Sequence, residues 1–161
     1  MRVGIGYDVH RLEPGRKLVL GGIVIPSDRG LAGHSDADVL THALMDALLG
    51  AAGLPDIGMQ FPPGDPRFKD ASSILLLGMV SGLLAKRGFS AGNIDITLVA
   101  EFPRIAPSVA EMKELLGKAL GLPVQRIGIK ATTNEGIGFI GRGEGIAAIA
   151  VAMLEECHPP K

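Results

Sequence analysis

Asp8 and His10 stand two residues apart in a run of alternating character, and His42 follows in a strongly helical segment behind a loop carrying His34, Ser35 and Asp36. Successive strand side chains point to opposite faces, so Asp8 and His10 share one face, about 7 Å apart. One carboxylate and two imidazoles suit Zn²⁺ well, and other divalent transition ions less exclusively. Three protein ligands leave a fourth tetrahedral corner open, which is the catalytic pattern; structural zinc usually recruits four. Asp46, one helical turn beyond His42, is placed as an outer partner for that imidazole. Taken alone, Asp-x-His is a weak signal that reads more readily as a solvated strand end; His42 with Asp46 beside it brings the metal reading level.

Two further segments carry polar chemistry. His34-Ser35 lies at the entrance to the helix, where unpaired N–H groups and the positive end of the dipole make a seat for phosphate. Ala131-Thr132-Thr133-Asn134-Glu135-Gly136 follows a strand, and its two hydroxyls and carboxylate suit a phosphate with a Mg²⁺ bound mainly through phosphate oxygens. The competing readings are an ordinary helix cap and a polar turn. Gly136-Ile-Gly138-Phe-Ile-Gly141 matches the dinucleotide fingerprint, but only 20 residues follow Gly141, too few for the rest of a nucleotide fold. Arg142 and Glu144 read as a surface or interface ion pair.

These groups need elements to position them. Val3, Ile5 and Tyr7 alternate with Gly4, Gly6 and Asp8, which predicts a strand over 2–11. Short strands at 17–20 and 22–26 join at Gly21-Gly22 as a hairpin. After the loop 27–36, Ser35 or Asp36 caps a helix reaching about Ala51, with Val39, Leu40, Ala43, Leu44, Ala47 and Leu48 as its apolar stripe. His42 projects from the other side, in line with Asp38 and Asp46. Prolines and glycines make 52–70 an irregular loop of functional length. Helices are predicted from Ser72 to Lys86 and after Pro107-Ser108, and strands over 93–101 and 125–132. Ile146–Leu154 is almost all apolar and, by its length, is read as a buried strand. The expected architecture is a single α+β domain over 1–161, a mixed β-sheet with helices packed on one face.

Composition bounds the function. Apolar residues make up 47% of a 161-residue chain without Trp, and no apolar run approaches the ~20 residues of a membrane span. The apolar excess is expected to become subunit interface. A net charge of -1 offers no field for a nucleic acid polymer. Cys157 is the only cysteine, and Met-Arg-Val-Gly enters a strand without signal-peptide layout, so a cytoplasmic location is expected. Residue chemistry alone reaches a metal-assisted enzyme acting on phosphate.

Gly-Tyr-Asp8-Val9-His10, His34-Ser35-Asp36-Ala-Asp38, His42 through Asp46, Asp56-Ile57-Gly58, Phe61-Pro62 with Asp65-Pro66, Lys130-Ala-Thr132-Thr133-Asn134-Glu135 and Gly141-Arg142-Gly-Glu144-Gly145 occur in order over most of the chain. Together they closely resemble the 2-C-methyl-D-erythritol 2,4-cyclodiphosphate synthase family. The resemblance implies a lyase of the methylerythritol phosphate route to isoprenoid precursors, which converts 4-diphosphocytidyl-2-C-methyl-D-erythritol 2-phosphate to the cyclic diphosphate plus CMP. It implies a homotrimer with active sites between subunits. It makes Asp8, His10 and His42 ligands of Zn²⁺, and Glu135 a ligand of Mg²⁺ or Mn²⁺ carried with the substrate diphosphate. His34 and Thr133 are then the transition-state stabilisers, and Asp8, Val9, His10, His34 and Ser35 contact substrate. Asp56, Ile57 and Gly58 grip the methylerythritol hydroxyls, and Phe61, Pro62, Pro63, Gly64 and Asp65 form a closing loop. Ala100, Glu101, Phe102, Pro103, Arg104, Ile105 and Ala106, with Thr132, Thr133, Asn134 and Glu135, correspond to a neighbouring subunit's cytidine pocket. Phe139 and Arg142 are further contacts, and Arg142 also faces a threefold axial cavity for isoprenoid diphosphates.

The chain departs from the family pattern in three places: Pro63-Gly64 replaces Asp-Thr in the closing loop, Arg104 replaces a common lysine, and Tyr7 replaces a frequent Phe. Arg104 keeps the charge but changes hydrogen-bond geometry. Two rival functions stand beside the synthase reading: a metal-dependent nucleotide-diphosphate hydrolase using the same residues, and an isoprenoid-diphosphate-binding trimer built on Arg142, for which Asp8, His10 and His42 are incidental.

Overall fold

Alternation along the N-terminal segment builds one long strand, and the computed structural model, which describes residues 1–157, places it beside the C-terminal strand. In chain order the elements are β1 (Arg2–Pro14), β2 (Leu18–Leu20), β3 (Ile23–Ile25), β4 (Arg29–Leu31), α1 (Val39–Ala51), α2 (Ile57–Gln60) and α3 (Ser73–Lys86). They continue with β5 (Phe89–Val99), α4 (Val109–Leu120), β6 (Ile127–Thr132), α5 (Gly138–Gly141) and β7 (Gly145–Glu156). The main sheet has the order β4-β1-β7-β5-β6, antiparallel except for the parallel β5–β6 pair, and β2–β3 form a separate hairpin. This is the mixed sheet expected, with α1 crossing β1 and β7, α3 on α1 and β5, and α4 on α3 and β6.

The two faces of the sheet are unlike, and the strand pattern says why. Toward α1, β1 presents Gly4 and Gly6 and β7 presents Ala148, Ala150 and Ala152, so the helix backbone comes unusually close. A Cβ on Gly6 would lie 2.0 Å from the Ala43 carbonyl oxygen, and one on Gly4 would lie 2.1 Å from that of Ala47. On the outer face Val3, Ile5, Tyr7 and Val9 stand exposed beside Ile149 and Val151. An amphipathic strand normally turns its apolar side to the core; here it turns it away. The helix α1 is correspondingly buried on nearly every side, including Thr41 and His42, with Asp46 half-buried and Gly50 exposed, and His42 lines a cleft.

Several boundaries differ from the sequence reading. The helix cap is Asp38, not Ser35 or Asp36; its carboxylate accepts from Gly21 N at 2.9 Å, Gly22 N at 2.7 Å, Thr41 N at 3.1 Å and Thr41 Oγ1 at 2.6 Å. Gly21 and Gly22 have φ of 58° and 79°, which aims both amides of the β2–β3 turn at that carboxylate. The loop 27–36 contains β4, the irregular 52–70 contains α2, and β5 begins at Phe89, not at 93. Within Gly136–Gly141 only Gly138–Gly141 is a short helical turn, and β7 follows it after three residues, so no dinucleotide fold forms here. No helix among the described residues is long and apolar enough to cross a membrane.

Candidate metal centre and its cleft

Register places the first two chemical groups. Asp8 and His10 occupy alternate inward positions of β1, beyond Gly4 and Gly6, and His42 sits one turn inside α1. Asp8 Oδ2 lies 2.9 Å from His10 Nε2 and 3.1 Å from His42 Nδ1, and the two ring nitrogens are 3.2 Å apart. These three atoms form a near-equilateral triangle. Ligands at about 2.0–2.1 Å from a tetrahedral Zn²⁺ stand roughly 3.3 Å from one another, so the triangle suits such an ion with little movement.

The hydrogen-bond partners on the far side decide which lone pairs face inward. His10 Nδ1 is 2.5 Å from the Ala32 carbonyl oxygen, which only accepts, so Nδ1 carries hydrogen and Nε2, facing Asp8 and His42, is the nitrogen left to coordinate a cation. His42 Nε2 faces Ser73 Oγ at 3.0 Å and Ser35 Oγ at 3.2 Å. Burial works against charge on Asp8, but hydrogen bonds from His10 and His42 and their charge outweigh it and hold the carboxyl far below the carboxylate range. Burial likewise opposes charge on His10, yet the hydrogen bond and charge of Asp8 raise its pKa above the ordinary value. Without a cation, a proton shared between these groups neutralises the triangle; a cation supplies the same charge and displaces it.

The triangle lies in a cleft of about 290 Å³, lined also by His34, Ser35, Ile57, Gly58, Phe61 and Pro63, over a floor of Met45, Phe68 and Leu76. That apolar floor lowers the local dielectric and strengthens any interaction with a bound phosphate. Phe61 packs edge-on against Phe68, with ring centroids 5.2 Å apart. Asp56 caps α2 through Met59 N at 3.0 Å and leaves its carboxylate exposed at the rim. His34 Nε2 lies 3.4 Å from the Asp65 carbonyl oxygen, across the mouth. The Asp65 carboxylate is held by Arg67, whose hydrogen bonds lower its pKa. Pro62 and Gly64 complete that exposed loop.

Two expectations are corrected. Asp46 makes no hydrogen bond to His42: its Oδ1 accepts from Ile57 N at 2.9 Å, tying α1 to α2. Burial raises its carboxyl above the ordinary range. His34 and Ser35 do not stand at the helix terminus, because α1 begins after Asp38; they line the cleft from the preceding loop. The groups on His42 Nε2, Ser73 with Asp36 behind it, escaped sequence reasoning. Ser72-Ser73 ahead of an apolar helix reads only as a cap, and 31 residues separate Ser73 from His42.

The second polar cluster is formed elsewhere in the chain. Ala100 N donates to the Thr132 carbonyl oxygen at 3.0 Å, and Glu101 Oε1 accepts from Asn134 N at 2.8 Å, so 100–106 and 132–135 make one unit. Thr133 Oγ1 donates to Glu135 Oε1 at 3.0 Å, and Glu135 holds a φ of 51°. Phe102 packs under the Arg29 guanidinium, and Pro103, Arg104, Ile105 and Ala106 continue the loop into α4. Val9 is registered with Ala147, Ala147 with Val99, and Val99 with Thr132, so the cluster shares the metal-centre end of the sheet. Three strand spacings still separate the two, roughly 14 Å. None of 100–106 or 132–135 lines the metal cleft, and His34 and Thr133 are not brought together within one chain. Phe139 borders a shallow pocket with Val9 and Glu144, and Arg142 pairs with Glu144 at 2.6 Å.

The fold and site define a mixed-sheet α+β protein whose three convergent donors, from one strand and one helix, could hold a metal ion beside an apolar cleft. More particularly, the YgbB family model matches residues 1–155, and the chain belongs to that family. A 2-C-methyl-D-erythritol 2,4-cyclodiphosphate synthase of Moorella thermoacetica is 62% identical over 154 residues, covering 96% of this chain and 94% of the relative. The structure of the bifunctional IspDF from Campylobacter jejuni superimposes with a TM-score of 0.92 at 42% identity; it covers 96% of this chain, which spans 42% of that longer one. A CDP complex of IspF from Plasmodium falciparum matches with a TM-score of 0.85 at 30% identity, over 98% of this chain and 97% of that one.

Proposed function

We propose that this chain converts 4-diphosphocytidyl-2-C-methyl-D-erythritol 2-phosphate to 2-C-methyl-D-erythritol 2,4-cyclodiphosphate and CMP. The observation that carries the reading is the triangle of Asp8 Oδ2, His10 Nε2 and His42 Nδ1, open on the cleft side beside Ser35 and His34. The names of the relatives supply the substrate.

The reaction calls for no nucleophilic side chain. An oxygen of the substrate's own 2-phosphate forms a bond to the β-phosphorus, the bond from that phosphorus to the α–β bridging oxygen breaks, and CMP leaves with the electron pair. Catalysis then consists of holding the substrate bent and neutralising charge as it develops. Asp8, His10 and His42 would hold the Zn²⁺ or a related transition ion, and such an ion would supply Lewis-acid polarisation of a phosphoryl oxygen. Glu135, an exposed carboxylate steadied by Thr133, suits a Mg²⁺ or Mn²⁺ held mainly by substrate oxygens. His34 and Ser35 orient the β-phosphate from the cleft wall, Asp56, Ile57 and Gly58 orient the methylerythritol, and 61–65 close over the mouth. Thr132 through Glu135 and Ala100 through Ala106 hold the nucleotide.

A cleft of about 290 Å³ is small for so long a substrate. Its nucleotide end belongs to the polar cluster of a neighbouring copy, in a homotrimer that buries the apolar outer face of β1 and β7. The test is incubation of the protein with Zn²⁺, Mg²⁺ and the diphosphocytidyl substrate. Equimolar CMP and cyclic diphosphate, free of solvent ¹⁸O, are expected; ¹⁸O in a product phosphate would instead establish a hydrolase. Tight isoprenoid-diphosphate binding at Arg142 without metal or turnover would establish a binding protein.

A further inference from the structure

We infer that Ser73 and Asp36 orient the His42 imidazole for metal binding, through a relay running from the Asp36 carboxylate to the Ser73 hydroxyl to His42 Nε2. The inference rests on the metal-centre reading above and adds two residues outside the ligand and substrate sets.

Ser73 is the first residue of α3 and is fully buried. Asp36 grips it at two points: Oδ2 accepts the Ser73 backbone N–H at 2.8 Å, and Oδ1 accepts its hydroxyl in a short contact. A serine hydroxyl has one hydrogen to give. Committed to a carboxylate, that hydrogen leaves the Ser73 oxygen only as an acceptor toward His42 Nε2, 3.0 Å away. Nε2 must therefore be the N–H nitrogen, and Nδ1 keeps its lone pair for the side where Asp8 Oδ2 and His10 Nε2 converge. His10 reaches the complementary state through the Ala32 carbonyl oxygen. The two imidazoles thus bind through different nitrogens, each set by the partner behind it.

Ser35 stands differently. Its oxygen accepts from Ala37 N at 3.3 Å, but its hydroxyl hydrogen has no committed acceptor, and it borders the open cleft. It assists geometrically without deciding which nitrogen carries hydrogen. Asp36 is itself anchored, because its backbone N–H donates to the Ala71 carbonyl oxygen at 3.1 Å. The relay therefore joins the loop before α1 to the start of α3, with the metal-binding imidazole between them.

Both are positioning residues, so the test reads metal affinity and the imidazole state directly. Zn²⁺ affinity is measured by competition with a chromophoric chelator for the unchanged protein and for Ser73→Ala, Ser73→Thr and Asp36→Asn. Ser73→Ala is expected to weaken Zn²⁺ binding roughly 10–100-fold, the usual effect of losing an outer partner of a metal-bound histidine. Ser73→Thr, which keeps the hydroxyl, should restore most of it. In the metal-free protein, ¹⁵N imidazole spectra of the neutral His42 ring should show hydrogen on Nε2, and Ser73→Ala should populate the opposite tautomer. Where Ser73→Ala does not fold, Asp36→Asn carries the same test with the serine in place. Unchanged affinity and an unchanged His42 signature in a folded variant would overturn the relay while leaving the metal centre intact. Failure of the unchanged protein to bind Zn²⁺ would overturn both.

Discussion

Gly6→Ala tests how the fold brings the strand and helix ligands together. A Cβ on Gly6 would meet the Ala43 carbonyl oxygen at 2.0 Å and the Ala47 amide nitrogen at 2.7 Å, both backbone atoms that no rotamer change relieves. Real Cβ contacts essentially never fall below 3.0 Å, so α1 must retreat from β1 by about 1 Å at that point. His42 precedes Ala43, while Asp8 and His10 stay with the strand. Metal sites tolerate ligand displacements of only about 0.2 Å, so Zn²⁺ affinity should fall at least tenfold. Overpacking should also cost about 1–3 kcal/mol, which for a domain of this size lowers Tm by roughly 2–12 °C. The control is Gly50→Ala in the same helix, where an added Cβ meets nothing within 4 Å; it should stabilise by about 0.5–1 kcal/mol and leave metal binding alone. Thermal unfolding in chelator and Zn²⁺ competition measure both effects. A Gly6→Ala protein with unchanged Tm and unchanged Zn²⁺ affinity would refute the close-approach argument.

Asp38→Ala should destabilise by about 3 kcal/mol or more, since three buried donors and one half-buried donor lose their acceptor at once, and urea unfolding would show a shift of less than 1 kcal/mol if the carboxylate were dispensable. Asp46→Ala frees the Ile57 amide and loosens α2, so KM should rise about tenfold with Zn²⁺ affinity unchanged; a metal-binding defect instead would place Asp46 back beside His42 in function. For the metal-free protein the pH dependence has a definite sign. The depressed Asp8 carboxyl contributes stability above its ordinary 3.8 that is lost as pH falls through its lowered pKa. The raised His10 contributes stability below its ordinary 6.5 that is lost as pH rises through its raised value. Tm in chelator should therefore be highest between these ordinary values and decline toward alkaline pH, and His10→Gln should flatten that decline; a Tm rising steadily from pH 6 to 9 would contradict it.

Long, periodic elements were legible in the chain, and so was the ligand triangle they carry. Alternation fixes which β1 residues share a face, and the helical stripe of α1 places His42 opposite Leu40, Leu44 and Ala47. The side of the sheet that faces the helices was less legible, because β1 turns Gly4 and Gly6 toward α1 and exposes Val3, Ile5 and Tyr7. Small residues there serve close helix approach, not amphipathic burial. β4 and α2, three and four residues long, carry too few side chains to show a period. Choosing Asp38 over Ser35 or Asp36 as the cap depends on Gly21 and Gly22, which local sequence does not connect to the helix. The Ser73 contact to His42 is likewise non-local, and Asp46 sits at helical spacing from His42 yet spends its carboxylate on Ile57.

The most direct test of the metal centre is a crystal of the protein grown with Zn²⁺ and measured at the zinc absorption edge. The expected result is one strong anomalous peak per chain, about 2.0–2.2 Å from Asp8 Oδ2, His10 Nε2 and His42 Nδ1, with its fourth ligand on the cleft side. A peak bound through the opposite imidazole nitrogens, or no peak between β1 and α1 while zinc orders elsewhere, would contradict it.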